Sequence, residues 1–136
     1  MIGEKLYEII GKVTGERVLR GEALGDVMLE VSFQGTGRIF GLDTIESGTY
    51  KASMKAPGAL YAEGQGLSLT TEGEGVTWHG TGVGRPTGKG MAAHWRGAIY
   101  YTTQAPKLAR LNTMAVVFEW DIDEHGNARG TTWEWK

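Results

Sequence analysis

Glycine recurs at every second position on two neighbouring segments, at Gly64 and Gly66 and again at Gly80, Gly82 and Gly84. No helix tolerates that pattern, because glycine in a helix interior costs roughly 0.5–1 kcal/mol relative to alanine. Alternate positions of an extended strand share one face. The two segments therefore read as paired strands with one face stripped of side chains. In all, 22 of the 136 residues are glycine, against a usual ~7 %.

The rest of the chain repeats the two-residue period. Val27, Leu29, Val31 and Phe33 alternate with Met28, Glu30, Ser32 and Gln34. Tyr50, Ala52 and Met54 alternate with polar neighbours, and Asn112, Met114, Val116, Phe118, Trp120 and Ile122 do the same. A helical spacing shows only weakly, around Glu4 to Ile10. Turn signals fall at regular intervals, among them Gly25-Asp26, Gly41 to Asp43, Pro57-Gly58, Glu72 to Gly75, Pro86 to Gly90, Ala105-Pro106-Lys107 and His125-Gly126. Eight strands follow, near 5–18, 27–40, 44–55, 59–71, 75–85, 91–104, 110–123 and 127–135. Long antiparallel strands with short links predict an all-β fold, a closed up-and-down barrel of about eight strands. A two-sheet β-sandwich is the alternative. Residues 1–136 make one domain, with no linker or repeat dividing them.

Net charge is −2 and no basic cluster is present, which argues against a nucleic-acid partner. With no cysteine, disulfides, thiolate nucleophiles and cysteine-ligated metal are excluded. The acid-bearing start MIGEKLYEIIGK does not read as a signal peptide, and no apolar run approaches ~20 residues. The expectation is a cytoplasmic protein with no membrane partner.

Turn lengths set the register of adjacent strands. A three-residue loop at Glu72-Gly73-Glu74 puts Gly66 opposite Gly80 and Gly64 opposite Gly82. Placing Arg85 opposite Met91 then sets Gly80 against Arg96 and Gly82 against His94. One face carries the glycines with Trp78, His94, Arg96 and Tyr100. The other carries Tyr61, Glu63, Gln65, Leu67 and Leu69 on one strand, His79, Val83 and Arg85 on the next, and Met91, Trp95, Ile99 and Tyr101 on the third. The second face holds more large apolar groups, each worth ~1.5–3 kcal/mol when buried, so it is expected inside. The glycines would then lie outside, where strands can coil sharply and a second subunit can dock. A two-residue turn at His125-Gly126 would set Phe118 opposite Trp133 and Val116 opposite Trp135, with both C-terminal tryptophans packed inward.

On that assignment Glu63, Gln65 and His79 point into the barrel, and Asn112 reaches them from another strand. Tyr61, Arg85, Trp95 and Tyr101 complete a candidate ligand site. A carboxylate in such a place acquires a raised pKa, near what a general acid or base needs. The alternative is a self-satisfied polar network without a ligand. His79, His94 and His125 do not share a metal-ligating spacing, and Asp121 and Asp123 read as a solvated strand end, so neither metal nor cofactor is expected. GTGVGR lacks a third glycine at the right spacing and the βαβ setting of a dinucleotide site, and no G-x-S-x-G elbow is present.

The segments AEGQG (Ala62 to Gly66), HGTGVG (His79 to Gly84), HWRGAIYY (His94 to Tyr101) and VVFEWDIDEHGN (Val116 to Asn127) resemble an uncharacterised prokaryotic family of small barrels, itself similar to the allene oxide cyclase and dirigent-like barrels of calycin type. That resemblance implies a small, largely apolar ligand in the barrel interior and a homo-oligomer, a dimer or trimer. It implies that Glu63 and Asn112 hold a water or polarise an oxygen of the ligand. Three functions follow: a ligand-binding barrel, an isomerase or cyclase using Glu63 or His79 as proton carrier, or a packed barrel acting as an interaction module. A cavity larger than ~300 Å³ would mark the first, and an inward Glu63 bonded to His79 or Asn112 the second.

Overall fold

A computed structural model describes all of Met1–Lys136. Eight antiparallel strands close on themselves in chain order: β1 (Ile2–Arg20), β2 (Val27–Ile39), β3 (Leu42–Ala56), β4 (Ala59–Thr70), β5 (Gly75–Pro86), β6 (Ala93–Thr103), β7 (Val116–Ile122) and β8 (Asn127–Trp135). β8 pairs with β1, so no sheet edge is left along the closed part of the wall. The expected barrel is found and the sandwich is excluded.

Turn chemistry accounts for the short links. Phe40 and Gly41 both have positive φ, 48° and 78°, as a two-residue type I′ hairpin requires, and they join Ile39 directly to its partner Leu42. Beyond Val13 the β1–β2 hairpin continues past the barrel wall to the Arg20–Val27 pair, and most of its residues there are exposed.

One element departs from the expected strands. Pro106–Thr113 is a 3₁₀ helix, and β7 begins only at Val116. Pro106 opens the helix, where a missing N–H costs nothing. Residues three apart eclipse in a 3₁₀ helix, so Leu108 and Leu111 fall on one side. Both are fully buried against Leu6, Ile39, Val76 and Val116, and they plug one end of the barrel. Asn112 ties the helix to β6: its Oδ1 accepts from the Thr103 N–H at 2.8 Å and its Nδ2 donates to the Thr103 carbonyl at 3.0 Å. It does not reach Glu63 or His79.

The glycine face points inward, which reverses the expectation for β4 and β5. Ala62, Gly64, Gly66 and Ser68 face the interior with Val76, Trp78, Gly80, Gly82 and Gly84. Leu67, Leu69 and Val83 lie outside, 42 %, 39 % and 50 % exposed. On β6 the expected side is the buried one, with Trp95, Ile99 and Tyr101 inside. The discrepancy lies in the β5–β6 link. Gly80 pairs with Ile99 and Gly82 with Gly97, a displacement of three positions from the expected partners, and an odd displacement exchanges faces. The β4–β5 pairing differs by two, with Gly64 opposite Gly80, so its faces stay matched.

Burial is still satisfied, because large rings from elsewhere fill the space over the glycines. A Cβ on Gly48 would fall 2.5 Å from Phe33 Cζ, one on Gly84 2.8 Å from Trp95 Cδ2, and one on Gly82 2.9 Å from Phe118 Cζ. The glycine row is a bed for interior aromatics rather than an outer groove for a partner.

The last hairpin is one residue longer than expected. Asp123 faces Asn127 across Glu124-His125-Gly126, with Gly126 at φ 83°, the three-residue loop with glycine in the left-handed position. Phe118 therefore pairs with Thr132 and Val116 with Glu134. Trp133 is only partly buried and Trp135 is 60 % exposed, so the tryptophans do not both pack inward.

Candidate functional site

The barrel interior is layered. Above the leucine plug lies a belt of polar side chains from four strands: Tyr7 on β1, Thr44 and Glu46 on β3, Ser68 on β4 and Thr132 on β8, all buried. Each takes its place from the period of two. Thr44 and Glu46 share a face with Gly48 and Tyr50, and Glu46 pairs in register with Ser68. Ser68 Oγ donates to Glu46 Oε1 at 2.7 Å, and Tyr7 Oη lies 3.1 Å from Ser68 Oγ and 2.7 Å from Thr44 Oγ1. A serine hydroxyl has one proton. With that proton committed to Glu46, Tyr7 donates to Ser68 and Thr44 donates to Tyr7. The chain Thr44–Tyr7–Ser68–Glu46 thus runs toward the carboxylate, and its members polarise one another. No hydrogen bond reaches Glu46 Oε2.

Burial pushes the Glu46 carboxyl up to about 7, and the hydrogen bonds that favour its charged form offset only part of that. Burial, with the Glu46 charge beside it, also holds the Tyr7 phenol well above its ordinary range. Tyr50, buried further along β3, is pushed up to about 12 by burial.

Beyond the belt the interior opens into a hollow of about 90 Å³. Phe33, Tyr50, Trp78, Trp95, Phe118 and Trp120 are the large rings on its wall beyond the belt, and Glu46 is the buried acid on it. Phe33 organises the rings, with its centroid 4.6 Å from Trp120 and 6.4 Å from Trp78, the latter nearly parallel. The Trp78 and Trp120 indole N–H groups are buried and make no hydrogen bond of good geometry. Trp78 N–H faces the Glu46 carboxylate and Trp120 N–H the Tyr50 hydroxyl, each without closing the bond. Two unpaired donors in one hollow, one of them beside a half-satisfied carboxylate, are unusual in a native interior.

Of the side chains expected at a site, Trp95 and Tyr101 line this hollow. The others are elsewhere. Glu63, Gln65, His79 and Arg85 stand exposed on the outer face. Glu63 accepts from Tyr61 Oη at 2.8 Å, within one exposed strand face. Gln65 pairs with His79, whose ring lies 5.7 Å from that of Tyr100. The buried carboxylate inside is Glu46, and a signal for it existed: it precedes Tyr50 by four residues, so the inward alternation of Tyr50 and Ala52 extends back to it.

Outside, His94 Nδ1 and Arg96 Nη1 converge on Asp121 Oδ1 at 2.7 and 2.8 Å. Asp123 accepts from the His125 and Asn127 backbone N–H groups and caps the β7–β8 turn. No group of three or more histidine, aspartate or glutamate side chains is gathered as a metal ion would need, and no helix is long and apolar enough to cross a membrane.

Fold and site together define a small closed antiparallel β-barrel with an aromatic-walled hollow and one buried acid. No protein-family model and no curated protein matches this sequence. Solved structures match its fold over nearly the whole chain. A protein with unknown function from Clostridium acetobutylicum ATCC 824 superposes with a TM-score of 0.82 at 11 % identity, covering 98 % of each chain. A beta-barrel like protein from Acinetobacter baumannii AYE gives 0.82 at 12 % identity over 100 % of this chain and 96 % of its own. An enzyme from Penicillium herquei gives 0.64 at 15 % identity, covering 96 % and 92 %. The chain thus has the fold of small bacterial barrels of unknown function.

Proposed function

We propose that this barrel binds a compact, largely apolar molecule bearing one oxygen function, in the hollow between Glu46 and the indoles of Trp78 and Trp120. One observation carries the reading. A buried carboxylate with a free oxygen and two buried unpaired N–H donors share the wall of an otherwise aromatic hollow. A core packed for stability alone satisfies such groups or omits them. A hydroxyl or carbonyl compound would accept from an indole N–H, and a hydroxyl would also donate to Glu46.

At about 90 Å³ the hollow is well below the ~300 Å³ of a drug-sized site, which limits the ligand to single-ring size. The resemblance to allene oxide cyclase and dirigent-like barrels, which hold ligands inside, agrees with an interior site. The small volume gives weight to the second reading, a packed interaction module. A homo-oligomer of either kind would use the outer face, where Leu67, Leu69 and Val83 are exposed.

Titration calorimetry with phenol and with toluene tests the reading. Phenol should bind at least ten-fold more tightly than toluene, and Ala62→Leu, which puts bulk into the hollow, should abolish binding. Absence of binding by both ligands to the native protein would leave the packed module standing. Native mass spectrometry of the purified protein reports any retained small molecule and the subunit number together.

A further inference from the structure

Three properties of Glu46 bear on what it could do to a molecule held in the hollow. Its Oε2 takes no hydrogen bond, its Oε1 is held by Ser68 at 2.7 Å, and Ser68 is itself held by Tyr7, which is held by Thr44. One oxygen is fixed and the other is left free beside the hollow. An N–H donor, that of Trp78, faces the same carboxylate from the wall, without a closed bond. An acceptor for a proton and a donor for an oxygen therefore stand on adjoining parts of one small apolar chamber.

Resting on the ligand-site reading above, we infer that the hollow is a proton-transfer site for enolisable carbonyl compounds of single-ring size, with Glu46 as the base and the Trp78 indole N–H as donor to the carbonyl oxygen. Glu46 Oε2 takes a proton from the carbon next to the carbonyl. The C–H electron pair becomes the C=C bond of the enolate, and the carbonyl π pair moves onto oxygen, where the indole N–H meets the new charge. The protonated Glu46 then returns the proton to the same carbon or to the far end of a conjugated system. Return to the same carbon regenerates or epimerises the ketone and return to the far end gives its isomer, so atoms and electrons balance with no oxidant, reductant or metal. The role expected for Glu63 or His79 passes to Glu46, because the former two face solvent. A carboxyl pushed up to about 7 by burial is suited to the task, since the base form is abundant at neutral pH and still holds a proton well.

Solvent deuterium exchange into cyclopentanone and cyclohexanone, followed by proton NMR in D₂O, tests this. The native protein should accelerate exchange above buffer, with a rate that rises with pH and levels off above about 7. Glu46→Gln should lose the acceleration by about 10²-fold or more, Glu46→Asp should restore part of it, and Trp78→Phe should lower it about ten-fold with the ring retained. Phenol titration of each variant reports whether the hollow survives the substitution. Phenol binding with exchange at the buffer rate, or equal exchange in Glu46→Gln, would overturn the proton-transfer inference and leave the ligand site intact. No binding of phenol or of either ketone to the native protein would overturn both.

Discussion

Trp78 lies across Gly66: a Cβ built on that glycine would come within 2.5 Å of Trp78 Cε2. The two residues pair in register on β4 and β5, so the indole folds back over its own partner strand and keeps its N–H on the Glu46 side of the hollow. One glycine thereby sets the position of a wall of the site.

Gly66→Ala should therefore destabilise the barrel by about 1–3 kcal/mol, because neither the indole nor the backbone has room to give. Gly75→Ala is the matching control. Its Cβ would meet only Leu69 and Leu67 methyls at 3.7 and 3.8 Å, so the cost should stay within about 0.5 kcal/mol. Urea midpoints of the two variants check this, and equal costs would count against an inward glycine face.

The buried acid makes stability depend on pH in a definite direction. Unfolded, Glu46 titrates near 4.5, and folded, near 7. Between those values the native state holds a proton that the unfolded chain has lost. The contribution of Glu46 is therefore full below about 4.5 and falls as pH rises through about 7, by roughly 3 kcal/mol in total. Glu46→Gln keeps the shape and does not titrate. Compared with it, the native protein should lose about that much stability between pH 5 and pH 9. Urea unfolding at the two pH values gives the difference. Asp121, held below the usual carboxylate range by Arg96 and His94 against the opposing effect of burial, and Asp123, held down by the Asn127 and His125 N–H groups, titrate alike in both proteins and cancel.

The 3₁₀ plug predicts a local cost. Leu111 has no solvent exposure and packs among the largest core cluster. Leu111→Ala should cost about 2–5 kcal/mol, measurable by denaturant unfolding.

The outward residues give the opposite result. Glu63→Gln and His79→Ala remove groups on the solvent face. Each should change stability by no more than about 0.5 kcal/mol and leave phenol binding and ketone exchange as in the native protein. A large loss in either assay would return the site to the outer face.

The eight strands, their antiparallel order and the inward side of β2, β6 and β7 were all legible from alternation, because the period of a strand is fixed by covalent geometry. Val31 and Phe33, Trp95 and Ile99, and Val116 and Ile122 are buried as their alternation indicates. Pro106 with Leu108 and Leu111 also carried the signal of the plug, but alternation running on from Asn112 masked it. What local sequence did not determine was which faces meet across a link. The β5–β6 connection shifts pairing by three and the β7–β8 loop by one, and parity depends on each loop's final conformation. Counting apolar groups strand by strand favoured the wrong side of β4 and β5, since burial is decided by the barrel as a whole. Phe33, Trp95 and Phe118 reach over glycines of other strands and fill the space those glycines leave. The same closure carries Glu46 inside. Alternation back from Tyr50 points that glutamate inward, but its partners Ser68 and Tyr7 come from β4 and β1, and only the closed wall brings them to it.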